Sequence, residues 1–397
     1  MTDMHVSNHD QMGDCLQGLR VIDLTRNLPG PFATRLLADL GADVLKIEPK
    51  QGDPARVFGE LFVALNHGKT TEKYDFHDPK AIEAIKAHLK EADVMLDSFR
   101  PGVLAEMGLD AKTLHAINPK LVIVSITGYG VAGNYVKEGN YVKEGNYVKE
   151  GNYVKEGIYL EDADSKNGSQ VNHDWANKAG HDINFMAMSG VLDQLRTAQG
   201  EQAMPNIQFA DLAGGSDTAV IALLAAVFAA QRTGRGRHIA ISMTHSLYNH
   251  MVMPKVTGKL INSLSGDGLN DTLLPQHDFL GGALPCYRLY QTADQRHMAV
   301  GSLELKFWQG LCEVLELPSL KEIHWQLGIM PNRPESEAAT NTIAEKFASQ
   351  TLEYWQLVFS VTDVCVTPVL SLHEARAHPL FAHQDEHHAT SGWQQVN

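Results

Sequence analysis

The sequence predicts an α/β protein: a parallel sheet covered by helices on both faces, followed by a second, smaller α/β region. Two observations carry this. Over the first half of the chain, short apolar runs bounded by turn residues alternate with segments whose apolar residues recur at helical spacing, the pattern of strands buried on both sides. The chain is also 397 residues long, more than one core accommodates and suited to two or three domains of roughly 100–200 residues each.

Leu19–Leu24 is an apolar run, Pro29-Gly30-Pro31 reads as a loop, and Phe32–Leu40 is an apolar-periodic helix stopped at Gly41. Val44–Ile47 is a second strand. Asp78-Pro79 starts a helix with Ile82, Ile85 and Leu89 on one face, and Val94–Leu96 and Leu121–Ile126 give two further strands. The loop after the first strand has no Gly-x-Gly-x-x-Gly, so the dinucleotide fingerprint is missing. From Gly133 to Glu156 the hexapeptide Gly-Asn-Tyr-Val-Lys-Glu recurs four times unchanged. Each copy offers only Tyr and Val for burial, so the reading is an expanded surface loop within an insertion over 131–178, with a regulatory lid as the alternative. Ala219–Gln231 is apolar on nearly every side and predicts a buried helix. Thr233-Gly234-Arg235-Gly236 ends it, and His238–Ser242 is a strand. Residues 1–250 thus form the large domain, 251–279 a linker and 280–368 the smaller domain, with strands near Tyr287–Gln291 and Met298–Gly301. Residues 369–397 form a C-terminal segment expected to return to the large domain. His373, His378, His383, His387 and His388 lack the spacing of a metal site.

Lys and Arg total 33 against 47 Asp and Glu, a net charge of −14. Such a surface repels nucleic acid and anionic lipid, while a local basic pocket can still hold a phosphate-bearing small molecule. The longest strongly apolar run, Ala219–Ala230, falls short of the roughly 20 residues of a membrane helix, so no membrane span is expected. The polar opening Met1–Gly18 does not read as a signal peptide. Cys15, Cys286, Cys312 and Cys365 form no Cys-x-x-Cys pair, which argues against zinc and for a reducing cytoplasm.

Three acid–base candidates stand out, each with a plainer account beside it. His181, in Ala179-Gly180-His181-Asp182-Ile183-Asn184-Phe185, stands at a helix start, where histidine usually serves structure. Asp211, in Phe209-Ala210-Asp211-Leu212-Ala213-Gly214-Gly215-Ser216, precedes the buried helix and is either its N-cap or a catalyst. Glu304, in Ala299-Val300-Gly301-Ser302-Leu303-Glu304, ends a strand, a position that often carries function.

Gly18-Leu19-Arg20-Val21-Ile22-Asp23-Leu24 with Pro29-Gly30-Pro31, followed by Leu37-Ala38-Asp39-Leu40-Gly41-Ala42-Asp43-Val44-Leu45-Lys46-Ile47-Glu48-Pro49, resembles the opening of family III CoA-transferases, the CaiB/BaiF superfamily. Gly52-Asp53-Pro54-Ala55-Arg56, Phe99-Arg100-Pro101-Gly102-Val103 and Arg232-Thr233-Gly234-Arg235-Gly236 are similar to its later landmarks. Ala179–Asn184 and Gly301–Glu304 resemble the α-methylacyl-CoA racemase branch. The resemblance implies a Rossmann-like large domain and a smaller α/β domain, interlocked in a homodimer whose active site is shared between subunits. It also implies that His181 and Asp211 are two opposed bases, that Glu304 from the partner orients the imidazole, and that the Asp182 backbone N–H meets the enolate oxygen. Arg100, then Lys69, would meet the coenzyme A phosphates. Coenzyme A would be part of the substrate, with no metal, flavin or pyridoxal cofactor.

The activity so implied is racemisation of 2-methylacyl-CoA thioesters. Two alternatives stand beside it: a CoA-transferase in which Asp211 is the nucleophile, and a catalytically impaired acyl-CoA-binding paralogue whose pocket the repeat insertion has spoiled.

Overall fold

The structure, a computed structural model, describes residues 12–131, 175–197, 200–257 and 275–381. The repeat Gly133–Glu156 and the tail histidines His383, His387 and His388 lie outside the described residues, as does most of the expected linker.

Six parallel strands make the large sheet: β1 (Arg20–Leu24), β2 (Asp43–Pro49), β3 (Thr70–Tyr74), β4 (Val94–Asp97), β5 (Val122–Thr127) and β6 (His238–Ser242). Their spatial order is β3-β2-β1-β4-β5-β6. The chain winds outward from β1 in one direction and then restarts at β4 in the other, so the order reverses between β1 and β4. In such sheets ligands bind in the crevice beyond the carboxyl ends of the strands at that reversal. Helices α1 (Pro29–Asp39) and α2 (Pro79–Glu91) lie among the connections, with α3 (Asp182–Ser189) and α4 (Ala210–Thr233) following β5. Two apolar cores result. Leu36, Leu37, Val220 and Leu223 pack on one face of the sheet, and Ile82, Ile85, Leu89 and Leu114 pack on the other. Gly236 allows β6 to approach β5 at its start, since a Cβ there would sit 1.9 Å from the carbonyl oxygen of Leu121.

The smaller domain has a three-stranded antiparallel sheet, β7 (Tyr287–Gln291), β8 (His297–Gly301) and β9 (Val366–Pro368), with β8 central. Helices α5 (Leu305–Val314), α6 (Pro334–Ala348) and α7 (Leu352–Phe359) cover it around Trp308, Phe347 and Trp355. The described part of the C-terminal segment is tied to this domain, because Arg296 pairs with Glu374 at 2.8 Å and donates to the Val369 carbonyl at 3.0 Å.

Three expectations are corrected. Pro29-Gly30-Pro31 is not a loop but the first turn of α1, since Pro29 at the first helical position lacks only an N–H that would have no partner. Helix α4 begins at Ala210, not Ala219, so Asp211 lies inside it; the N-cap is Phe209, which rules out the capping role for Asp211. Nor is α4 buried all round: Ala219, Leu223 and Ala230 enter the core, while Ile221 is 71% and Phe228 61% exposed. Its full span is long and apolar enough to cross a membrane by length and composition alone, but its inner face is part of the sheet's core.

Candidate active site

The landmark residues of the first two strands build a buried ionic network beneath the crevice. Lys69 Nζ lies 3.2 Å from Asp23 Oδ2, and Lys46 Nζ lies 3.1 Å from Asp53 Oδ2, all four side chains being fully buried. Arg56 grips Glu48 through Nε at 2.6 Å and Nη2 at 2.5 Å. Burial alone would raise the Asp23 pKa. The ammonium groups of Lys46 and Lys69 and the hydroxyls of Thr25 and Thr34 more than offset it and hold the carboxyl well below its usual range. The network fixes the loop after β1: Lys46 donates to the Thr25 carbonyl at 2.9 Å, and Asp53 accepts the Asn27 N–H at 3.1 Å.

Lys69 is therefore not the phosphate-binding residue expected from the sequence. Its ammonium is shared among Asp23, the Pro31 carbonyl, Thr34 and Asn66 at 2.7–3.2 Å, which occupies all three of its protons. Burial pulls its pKa down to about 8.

Arg100 is exposed and lines a cleft of about 880 Å³ with Arg26, Phe76, His77, Lys86 and Phe99. The loops after β1 and β4 meet here, joined by the Arg26 N–H donating to Ser98 Oγ at 3.1 Å, and the Arg26 guanidinium stands 5.2 Å from the centre of the Phe99 ring. Arg26 escaped the sequence reading because its importance comes from the reversal of strand order, which no local pattern reveals.

The second cluster lies at the junction of α3 and α4. His181 is the N-cap of α3, with its own N–H donating to Asn184 Oδ1 at 3.0 Å. The Phe185 ring fixes this end of the helix, and glycines make room for it: a Cβ at Gly128 would lie 2.2 Å from that ring and one at Gly180 2.6 Å. Asp182 follows as the first helical residue, so its N–H is one of those an α-helix leaves without an internal acceptor. Its side chain caps the other helix: Oδ1 accepts the N–H of Ala210 at 2.7 Å and of Asp211 at 3.0 Å. This contact places Asp211 beside the His181-Asp182 turn.

Residues Ala210–Asp217 of α4 are wound as a π-helix, a form rare enough to mark functional segments. Gly214 and Gly215 let this segment pack closely on its neighbours, since a Cβ at either would come within 3.0 Å of Met243 or Pro29. Ser216 Oγ then donates to the Pro29 carbonyl at 2.6 Å, locking the start of α4 to the start of α1. Burial, and secondarily the Asp182 carboxylate, pushes the Asp211 pKa up to about 7. Asp182→Asn keeps the oxygen that accepts both N–H groups but removes the charge. The Asp211 titration, followed by carboxyl-carbon NMR, should then move below about 7; an unmoved titration would mean that burial alone sets it.

Glu304 is the exposed N-cap of α5, in the smaller domain. Within one chain no hydrogen bond or ion pair joins it to His181, Asp182 or Asp211. The structure thus brings together three of the four expected catalytic residues and leaves the fourth apart. Among the described residues no three His, Cys, Asp or Glu side chains gather as a metal-ligand set.

A six-stranded parallel sheet with a crevice at its reversal, a small antiparallel domain and a His-Asp turn against a helix-borne Asp define an α/β enzyme architecture. The sequence profile of CoA-transferase family III matches residues 16–141 and 167–392, and the chain belongs to that family. It is 30% identical over 366 residues to human alpha-methylacyl-CoA racemase, covering 91% of this chain and 80% of that protein. It is 26% identical over 367 residues to mouse succinyl-CoA:glutarate CoA-transferase, covering 90% and 72%. In fold it matches the crystal structure of a CaiB/BaiF family protein from Brucella suis, with a TM-score of 0.66 and 24% identity over 93% of this chain and 87% of the other. Racemase and transferase relatives at comparable identity fix the enzyme family without fixing the reaction.

Proposed function

We propose that the protein racemises 2-methylacyl-CoA thioesters by two-base proton transfer. The observation that supports this best is the Asp211 carboxyl, pushed up to about 7 beside the His181-Asp182 turn. A group with that pKa exchanges protons readily at neutral pH in either direction.

In one direction neutral His181 removes the proton from C2, the electrons pass to the thioester oxygen, and protonated Asp211 delivers its proton to the opposite face. This leaves an imidazolium and a carboxylate, which exchange with solvent to reset the pair. The oxyanion meets the free N–H of Asp182 at the helix start. Glu304 of the partner subunit orients the imidazole, in a homodimer whose contact surface includes the exposed Ile221 and Phe228 of α4. Arg26 and Arg100 take the phosphates of coenzyme A in the cleft they line. The chemistry assigned to these residues calls for no metal, flavin or pyridoxal group.

Arg100→Ala should raise KM for the thioester about tenfold, the loss of one charge-assisted phosphate contact, with kcat within twofold. Steady-state kinetics check this; a fall in kcat at unchanged KM would remove Arg100 from the nucleotide site. The reaction itself is tested by incubation with 2-methyloctanoyl-CoA in deuterium oxide, where deuterium should enter C2 without any second acyl acceptor. Transfer of CoA to added succinate or oxalate without exchange would favour the transferase reading.

A further inference from the structure

We propose that Trp325 and Gln326 are positioning residues that hold the turn carrying Glu304 in the orientation proton transfer needs; this rests on the racemase reading above. Two side-chain bonds from consecutive residues grip the backbone on either side of Glu304. Trp325 Nε1 donates to the Leu303 carbonyl at 2.9 Å, and Gln326 Oε1 accepts the Leu305 N–H at 2.8 Å. The first N–H of α5 is thereby satisfied from outside the helix. Glu304, although the N-cap residue, makes no capping bond with its own side chain, so its carboxylate is left for other work.

The brace is itself anchored. Trp325–Leu327 is a single tight turn closed by Gly328 at φ 91°, and His324 Nδ1 accepts the Gln326 N–H at its start at 3.3 Å. His324 is only 2% exposed, set against the rings of Trp308 and Trp325. The Trp325 ring also meets Phe279 edge-on at 6.2 Å between centres. On the strand side, Ser302 Oγ donates to the Val364 carbonyl at 2.6 Å, and the Gly301 N–H donates to the Cys365 carbonyl at 2.8 Å. The segment 301–305 is thus fixed at both ends, and Glu304 is its free side chain. An exposed glutamine spent on a helix-start N–H, directly beside a carboxylate that makes no cap, is what a device for aiming that carboxylate requires.

The test compares Trp325→Phe, which keeps the ring and loses the donor, and Gln326→Ala and Gln326→Glu, which lose and keep the acceptor. Exchange of 2-methyloctanoyl-CoA in deuterium oxide is measured in the wild-type and in the Glu304→Ala background, with thermal midpoints alongside. The brace predicts that Trp325→Phe and Gln326→Ala lower kcat roughly tenfold with KM within twofold, as small misplacements of catalytic groups do. It predicts that Gln326→Glu restores most of the rate, and that neither loss appears once Glu304 is absent. Unchanged kcat, or losses that persist in full without Glu304, would overturn the brace while leaving the racemase reading intact. A wild-type protein that incorporates no deuterium would overturn that reading and the brace with it.

Discussion

Asp211→Asn is expected to slow interconversion of the two C2 epimers by about 10³-fold or more, the scale of removing a positioned acid–base group. The protein should nonetheless become more stable at alkaline pH. Burial and the neighbouring Asp182 carboxylate raise the folded pKa of Asp211 from its ordinary value of 3.8 to about 7. Between those values the folded state binds a proton that the unfolded state has released, so wild-type stability declines as pH rises through this window. The amide avoids that loss, and its thermal midpoint at pH 8 should exceed the wild type's. A variant less stable at every pH would make Asp211 a structural residue.

The second large effect concerns stability. Asp23→Asn removes the carboxylate paired with Lys69, which also helps neutralise Lys46, leaving buried ammonium groups underpaired. Breaking a buried pair from one side costs about 3–5 kcal/mol, on the order of 10 °C in thermal midpoint for a domain of this size. The sign with pH is opposite to that of Asp211. Because the folded pKa of Asp23 is depressed, its contribution is present above about pH 4 and is lost as the solution is acidified. The variant should show a flattened acid limb in a denaturation series. An unchanged midpoint would show that the landmark residues of β1 and β2 are not a stabilising network.

The parallel sheet was legible because β1, β4 and β5 are buried on both faces and therefore read as continuous apolar runs. Edge strand β3, Thr-Thr-Glu-Lys-Tyr, was not among the strands read from the pattern, since an exposed edge need not be apolar. The position of Asp211 was misread for a reason of geometry. Its helix is capped from another segment by Asp182, a contact 29 residues away in sequence, and its first turns, with Gly214, Gly215, Ser216 and Asp217, lie outside the apolar run, so the apolar pattern alone starts the helix at Ala219. Lys69 and Arg26 show the same limit in opposite directions. Each is a cation near a landmark, and only the fold decides that one is enclosed by acceptors and the other faces the crevice. The outward Ile221 and Phe228 were hidden because a helix apolar all round looks buried whether its second face meets its own core or another surface.

One measurement bears most directly on the account: mass-spectrometric detection of deuterium at C2 of a single epimer of 2-methyloctanoyl-CoA, incubated with the enzyme in heavy water. The account predicts that label enters the substrate as its stereochemistry scrambles, and that Asp211→Asn stops the scrambling while the epimer whose C2 proton faces His181 can still take up label. Label that stays out of C2 while CoA passes to a free carboxylate would contradict it.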